Sequence, residues 1–307
     1  MNFTDCFKTS PALLMEGALG ERMKREYHLK IDGPVAMAGL VYTAPGRHAL
    51  KKLWEDYAGI AADFRLPFLA TTPTRRVNRE RLPLSGRSPS IVRDNIEFLR
   101  TVRQDRPHMY IGGLLGCRGD AYTGAGCLSL EDSRKFHSWE ATLFADACPD
   151  FLYPALMPTL PETAGMALAL QETKIPYLIR FTILKNGCLV DGTPISEAIR
   201  FIDETVHTPP VCYMTNCIHP DLVYEALSQP FNRTDAVRRR FLGIQANTSA
   251  LSYAELDHAR DLKTSDPEEL ADAIARLRDL VPIKIFGGCC GTDDGHMRKI
   301  AEKITFI

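Results

Sequence analysis

The sequence has no long hydrophobic run, no excess of either charge, no low-complexity stretch and no dense cysteine spacing. Each absence removes a class of protein. The longest apolar runs, such as "GPVAMAGLVY" at 33–42, fall well short of the roughly 20 residues a membrane span needs. Lys and Arg total 37 against 38 Asp and Glu, a net charge of -1, so neither nucleic acid nor an anionic membrane surface is an expected partner. The first residues, "MNFTDCFKTSPALLMEGALGERMKREYH", lack a basic region followed by a sustained apolar stretch, and no secretory signal is expected. Nine cysteines scattered through 307 residues form no disulfide framework. They read as reduced thiols of a cytoplasmic protein.

What is there is regular. At 45% hydrophobic and 24% charged residues, the chain can bury a sizeable core. Eight short, nearly continuous apolar runs have the pattern of strands covered on both faces. They are "ALLMEG" (12–17), "PFLATT" (67–72), "HMYIGGLLG" (108–116), "DFLYPAL" (150–156), "PYLIRFTI" (176–183), "VCYMTNC" (211–217), "FLGIQANT" (241–248) and "IKIFGG" (283–288). Amphipathic segments lie between them. In 47–65 the residues Leu50, Leu53, Trp54, Tyr57, Ala58 and Ala61 recur at helical spacing. In 88–104, Ser88 is placed to cap a helix with Pro89 at its first position. Eight strands each followed by a helix over about 300 residues predict a single α/β domain, residues 1–307, folded as a (β/α)8 TIM barrel. An open doubly wound sheet has the same alternation and is the alternative.

In a barrel, functional groups collect where strands end. Cys217 ends the sixth strand in "YMTNC", and Cys289 with Cys290 ends the eighth in "GGCCGT". In the ring these strands are one strand apart, so the loops after them can converge on one point. Three soft sulfur ligands at a concave site suit Zn²⁺ with one position left for exchange. Gly287 and Gly288 are expected to bend the chain so that adjacent cysteines point at one metal, and Gly291 to release it. A cysteine nucleophile is the second reading, with His219 or His296 as its base; both histidines also fit helix starts. For Cys6, Cys117, Cys127, Cys148, Cys188 and Cys212, burial or chance exposure is expected.

With these residues in view, the chain resembles the zinc-dependent homocysteine S-methyltransferase family across nearly its whole length. The resemblance rests on "GGCCGT" and "TNC", supported by "LLMEGALGERM" (13–23), "ATTPTRR" (70–76), "GDAYTG" (119–124), "LVDGTPISEA" (189–198) and "QANTS" (245–249). It implies zinc ligands Cys217, Cys289 and Cys290, and transfer of a methyl group from a small sulfonium, betaine or similar donor to a zinc-activated thiol. No catalytic residue beyond the metal site is implied. Glu16, Gly17, Thr72 and Asn247 are the implied substrate-binding residues, with Tyr122 facing a cationic donor.

Two positions depart from the family. Its first-strand motif usually reads Asp-Gly, where this chain has Glu16-Gly17, and its fourth strand usually carries a Glu that holds the amino group of homocysteine. Here "PALMP" puts Ala155 at that place. Loss of such a partner weakens an ammonium by about 1.5–3 kcal/mol. The acceptor is therefore expected to be homocysteine held by other groups such as Glu16, or a different thiol, with a catalytically altered zinc-binding protein as the third case. The chain read here ends about one helix beyond "GGCCGT". A small-molecule donor, or a separate corrinoid-protein partner, is expected, and self-association into a homo-oligomer is left open.

Overall fold

The computed structural model of the chain describes residues 1–31, 33–253, 255 and 264–305. Its eight strands are β1 Leu13–Met15, β2 Phe68–Thr71, β3 Met109–Gly116, β4 Phe151–Ala155, β5 Leu178–Phe181, β6 Cys212–Ile218, β7 Phe241–Ala246 and β8 Ile285–Gly288. Every one falls on a strand expected from the sequence. They form one sheet in the order β4-β3-β2-β1-β8-β7-β6-β5, parallel throughout. Parallel bridges Leu152↔Tyr177 and Met157↔Phe181 join the two ends. The sheet therefore closes, and the open doubly wound alternative is excluded.

The alternation of side chains explains why each strand reads as continuously apolar. Leu13, Met15, Leu69, Tyr153, Leu178, Met214 and Ile285 fill the barrel's interior, while Leu14, Phe68, Leu152, Ile179, Tyr213 and Phe286 pack outward with the surrounding helices. The helix Phe3–Thr9 plugs the N-terminal end, where Phe3 stacks on Phe151 with ring centroids 4.6 Å apart. Functional groups are left the opposite mouth.

The helix Ala44–Asp63 starts at Thr43, whose side chain accepts from the Gly46 amide, and buries the face read from the sequence: Leu50, Leu53, Trp54, Tyr57, Ala58 and Ala61. One start is shifted. The helix expected from Ser88 begins at Ile91, because the Ser88 hydroxyl pairs with that of Ser90 at 2.7 Å and caps no amide. Residues 88–92 form tight turns, with Ile91 N donating to Ser88 O and Val92 N to Pro89 O.

Candidate metal centre

β6 delivers Cys217 by an irregular backbone. The register slips between Asn216 and Ile218, and Cys217 itself takes φ +55°, a left-handed conformation that costs a non-glycine residue about 1–2 kcal/mol. That bulge turns one thiol into the mouth. Strain of this kind is held where surrounding structure requires it. Before metal is added, Cys217→Gly is expected to be more stable than Cys217→Ala by about 1 kcal/mol in urea unfolding; equal midpoints would show that the backbone is unstrained.

β8 delivers the adjacent pair. The Cys289 amide donates to Ala246 O at 2.7 Å and the Thr248 amide to Cys290 O at 3.2 Å, tying the turn to the end of β7. Thr292 Oγ1 donates to Cys289 O at 2.7 Å, and the Gly291 amide donates to Glu21 Oε2 at 2.7 Å. The glycines divide their work differently from the sequence expectation. Gly287 and Gly288 lie within β8 and only Gly291 has positive φ, +85°. The first two are needed for close packing instead: a Cβ on Gly287 would stand 2.8 Å from Met15 and Gln245, and one on Gly288 2.3 Å from Thr292 Oγ1.

The three Sγ atoms all lie within 4.8 Å of one another. Sulfurs around one zinc at about 2.3 Å would stand about 3.8 Å apart, so the trio has the size and softness to hold such an ion. Cys217 is buried, Cys289 half-buried and Cys290 exposed, which leaves the open side of the trio facing solvent. Hydrogen bonds with Cys289 and Cys290 hold Cys217 well below the ordinary thiol range, and those with Cys217 and Cys289 push Cys290 well above it.

Around it stand two aromatic rings, Tyr122 and Tyr253, with centroids 4.6 Å apart. Burial first, and then the charges of the cysteines, raise the phenols of both. A cleft of about 390 Å³, lined by Ile183, Cys217, Ile218, Leu222, Leu251 and Tyr253 among others, opens beside the trio.

The four residues expected at the substrate lie at strand ends, in different settings. Glu16 follows β1, is buried, and accepts from the Thr71 amide at 3.0 Å and the Thr71 hydroxyl at 2.5 Å. Burial pushes its carboxyl up to about 7, against the opposing pull of Thr71 and Arg180. Gly17 lies under Tyr57, where a Cβ would meet the phenol oxygen at 2.7 Å. Thr72 pairs with Thr74 at 2.7 Å and accepts from the Leu114 amide at 3.1 Å. Asn247 Oδ1 accepts from the Ser249 amide at 2.9 Å. The second-reading bases are occupied: His219 Nδ1 accepts from the Asp221 amide at a helix start, and His296 contacts Asp293 and Ser265 O through its two ring nitrogens.

Glu16 has a consequence for stability. Its folded pKa exceeds the ordinary 4.5, so its favourable contribution is full below about pH 4.5 and is lost as pH rises through about 7. Between pH 5 and 8 the wild type should therefore lose up to about 3 kcal/mol that Glu16→Gln does not lose. Parallel losses in urea melts of both proteins would remove Glu16 as the cause.

Two groups were missed from the sequence. Arg180, inside the apolar run "PYLIRFTI", points its guanidinium over Tyr153 at 4.5 Å and donates through Nη1 to Gln245 Oε1; a charge in the middle of a strand was the signal. His137 is buried between Glu140 and Glu162 and looked like one polar residue of an amphipathic helix.

Compared with known proteins, residues 13–304 match the family model described as homocysteine S-methyltransferase. No curated protein matches the sequence. Among solved structures, the metallated form of the homocysteine methyltransferase MmuM from Escherichia coli aligns with TM-score 0.77 at 17% identity, covering 97% of this chain and 98% of that one. Its oxidised form aligns at 0.75 and its apo form at 0.69, each at 17% identity over 96% and 97% of the two chains. At that identity the likeness is one of fold.

Proposed function

Because the chain belongs to the homocysteine S-methyltransferase family, we propose that it is a zinc-dependent S-methyltransferase acting on a thiol held at Cys217, Cys289 and Cys290. The observation that carries this reading is the convergence of those three Sγ atoms within 4.8 Å at the barrel mouth. Zinc bound there supplies Lewis acidity, lowering the pKa of an entering thiol from about 8.5 so that its sulfur is a competent nucleophile near neutral pH.

The remaining work belongs to side chains of this chain. Exposed Cys290 leaves the trio accessible. Tyr122 and Tyr253 present aromatic faces suited to a cationic methyl donor. Glu16, Gly17, Thr72 and Asn247 are assigned to the wall of the acceptor pocket. In the transfer the thiol yields its proton to solvent and its sulfur forms the new C–S bond. The donor's bond to its methyl carbon breaks, and the electron pair stays on the departing sulfide or amine. Sulfonium and betaine compounds have this leaving chemistry.

Incubating zinc-loaded protein with homocysteine and other thiols, each against sulfonium and betaine donors, and detecting S-methyl products by mass spectrometry tests the reading. Transfer abolished by chelation and restored by zinc supports it. Transfer indifferent to chelation, or the absence of any S-methyl product across the panel, rejects it.

A further inference from the structure

Arg180 is a buried charged group of the barrel interior that the reaction above does not use. It is 6% exposed. It lies inward on β5, on the strand beside β4, across the seam where Met157 N donates to Arg180 O at 3.0 Å. Nη1 donates to Gln245 Oε1, which also accepts from the Tyr153 hydroxyl at 2.9 Å. Nε is buried and has no partner among the described residues. Among the described residues no carboxylate pairs with the guanidinium; Glu16, whose carboxyl feels its charge, is held by Thr71. A buried guanidinium without a counter-charge is strongly destabilising unless an anion joins it.

Its position relates it to the metal centre. Arg180 is paired in register with Met214 of β6, the strand that carries Cys217, and its partner Gln245 is paired with Gly287 of β8, two residues before Cys289. Ala155, fully buried at the end of β4, adds no polar group beside it. An acceptor whose sulfur enters the cysteine trio therefore has, deeper in the barrel, one cationic group with a free donor.

We propose that Arg180 is a specificity-determining residue that receives an anionic group of the acceptor, so that the preferred acceptor is a small thiol bearing a carboxylate or sulfonate and no ammonium. This rests on the thiol-methyltransferase reading above. Recognition is a charge-assisted hydrogen bond from Nε, the geometry arginine is suited to. An ammonium at the same depth meets like charge, Ala155 offers it nothing, and the Glu16 carboxyl is already engaged by the Thr71 amide and hydroxyl.

The test is thiol binding to the cobalt-substituted protein, read from the thiolate-to-cobalt charge-transfer band, with 4-mercaptobutyrate, 3-mercaptopropionate, 3-mercaptopropanesulfonate, 3-mercapto-1-propanol, cysteamine and homocysteine. The anionic thiols should bind at least about tenfold tighter than the neutral alcohol, the least that a hydrogen bond to a charged group contributes. 4-Mercaptobutyrate should exceed homocysteine, from which it differs only by the amino group, and cysteamine should bind weakest. A carboxylate raises the pKa of a nearby thiol, so this ranking runs against intrinsic thiolate content. The carboxylates and the sulfonate differ in which anion seats better. Arg180→Met should erase the preference while leaving metal content and the neutral thiol's affinity unchanged, and Arg180→Lys should retain part of it.

Equal affinity of anionic and neutral thiols in the wild type, or homocysteine outbinding 4-mercaptobutyrate, overturns the proposal and leaves the methyltransferase reading standing. So does an equal loss for every thiol in Arg180→Met, which would make Arg180 a counter-charge to the metal centre. If no thiol perturbs the cobalt spectrum, both fail together. The wild-type ranking decides the matter even if the variants do not fold.

Discussion

Cys289→Ser and Cys290→Ser are each expected to weaken zinc binding by more than about a hundredfold, beyond the 10–100-fold typical of losing an outer hydrogen-bond partner of a ligand, and to abolish methyl transfer. A serine hydroxyl is a poor zinc ligand at neutral pH, because it stays protonated where a cysteine thiol ionises. The backbone should be little altered. Cys289 is fixed through its amide to Ala246 and through its carbonyl to Thr292, and neither contact uses sulfur. Loss of metal with retained melting cooperativity is thus the expected pattern, measured by metal analysis after gel filtration. Cys148→Ser, at an exposed site after the helix Leu130–Ala147, should leave metal content unchanged. Full zinc occupancy in either mouth variant would remove the trio from the mechanism.

His137→Leu is expected to cost about 3–5 kcal/mol, the penalty for breaking a buried ion pair by removing one partner. His137 Nε2 lies 3.1 Å from Glu162 Oε1, and Nδ1 lies 3.7 Å from Glu140 Oε2, with all three side chains buried. Leucine would leave two buried carboxylates without the cation between them. The loss should also reach the mouth. Glu162 accepts from the Arg118 amide at 2.6 Å and the Leu128 amide at 3.2 Å, so it pins both ends of the loop carrying Tyr122.

The pH dependence has a definite sign. Burial pulls the His137 imidazole down, yet the carboxylates of Glu140 and Glu162 outweigh it and hold the group up at about 9, against an ordinary 6.5. Its contribution is therefore complete below about pH 6.5 and is lost as pH rises through about 9. Wild-type urea midpoints should fall across that window, and those of His137→Leu should change less. A variant as stable as the wild type at pH 6 would show that the imidazole is not the cation of the cluster.

Legibility from sequence followed the range of each interaction. The helix Ala44–Asp63 was readable because burial of Leu50, Trp54 and Tyr57 repeats every turn. The start at Ile91 was misplaced because Ser88 and Ser90 are equivalent as caps until the turn that pairs their hydroxyls is formed. Gly287 and Gly288 were visible as glycines, but their reason was not local: the atoms that exclude a Cβ belong to Met15, Gln245, Thr292 and Met297. Glu16 was visible as a departure from Asp-Gly. Its raised pKa is a property of burial beside Thr71, 55 positions away.

The sequence by itself determined the eight strands and the placing of Cys217, Cys289 and Cys290 at strand ends, because both are written in short-range terms. Apolar runs mark strands covered on two faces, and a cysteine at a strand end is already at the mouth once the barrel is granted. Only the tertiary structure decided what surrounds the trio. Closing the sheet at the seam of β4 and β5 sets Arg180 beside Ala155's strand and against Gln245, 65 positions further on. No periodicity reports such a contact, since ring closure and side-chain direction create it. The charge deep in the barrel is a property of the closed fold.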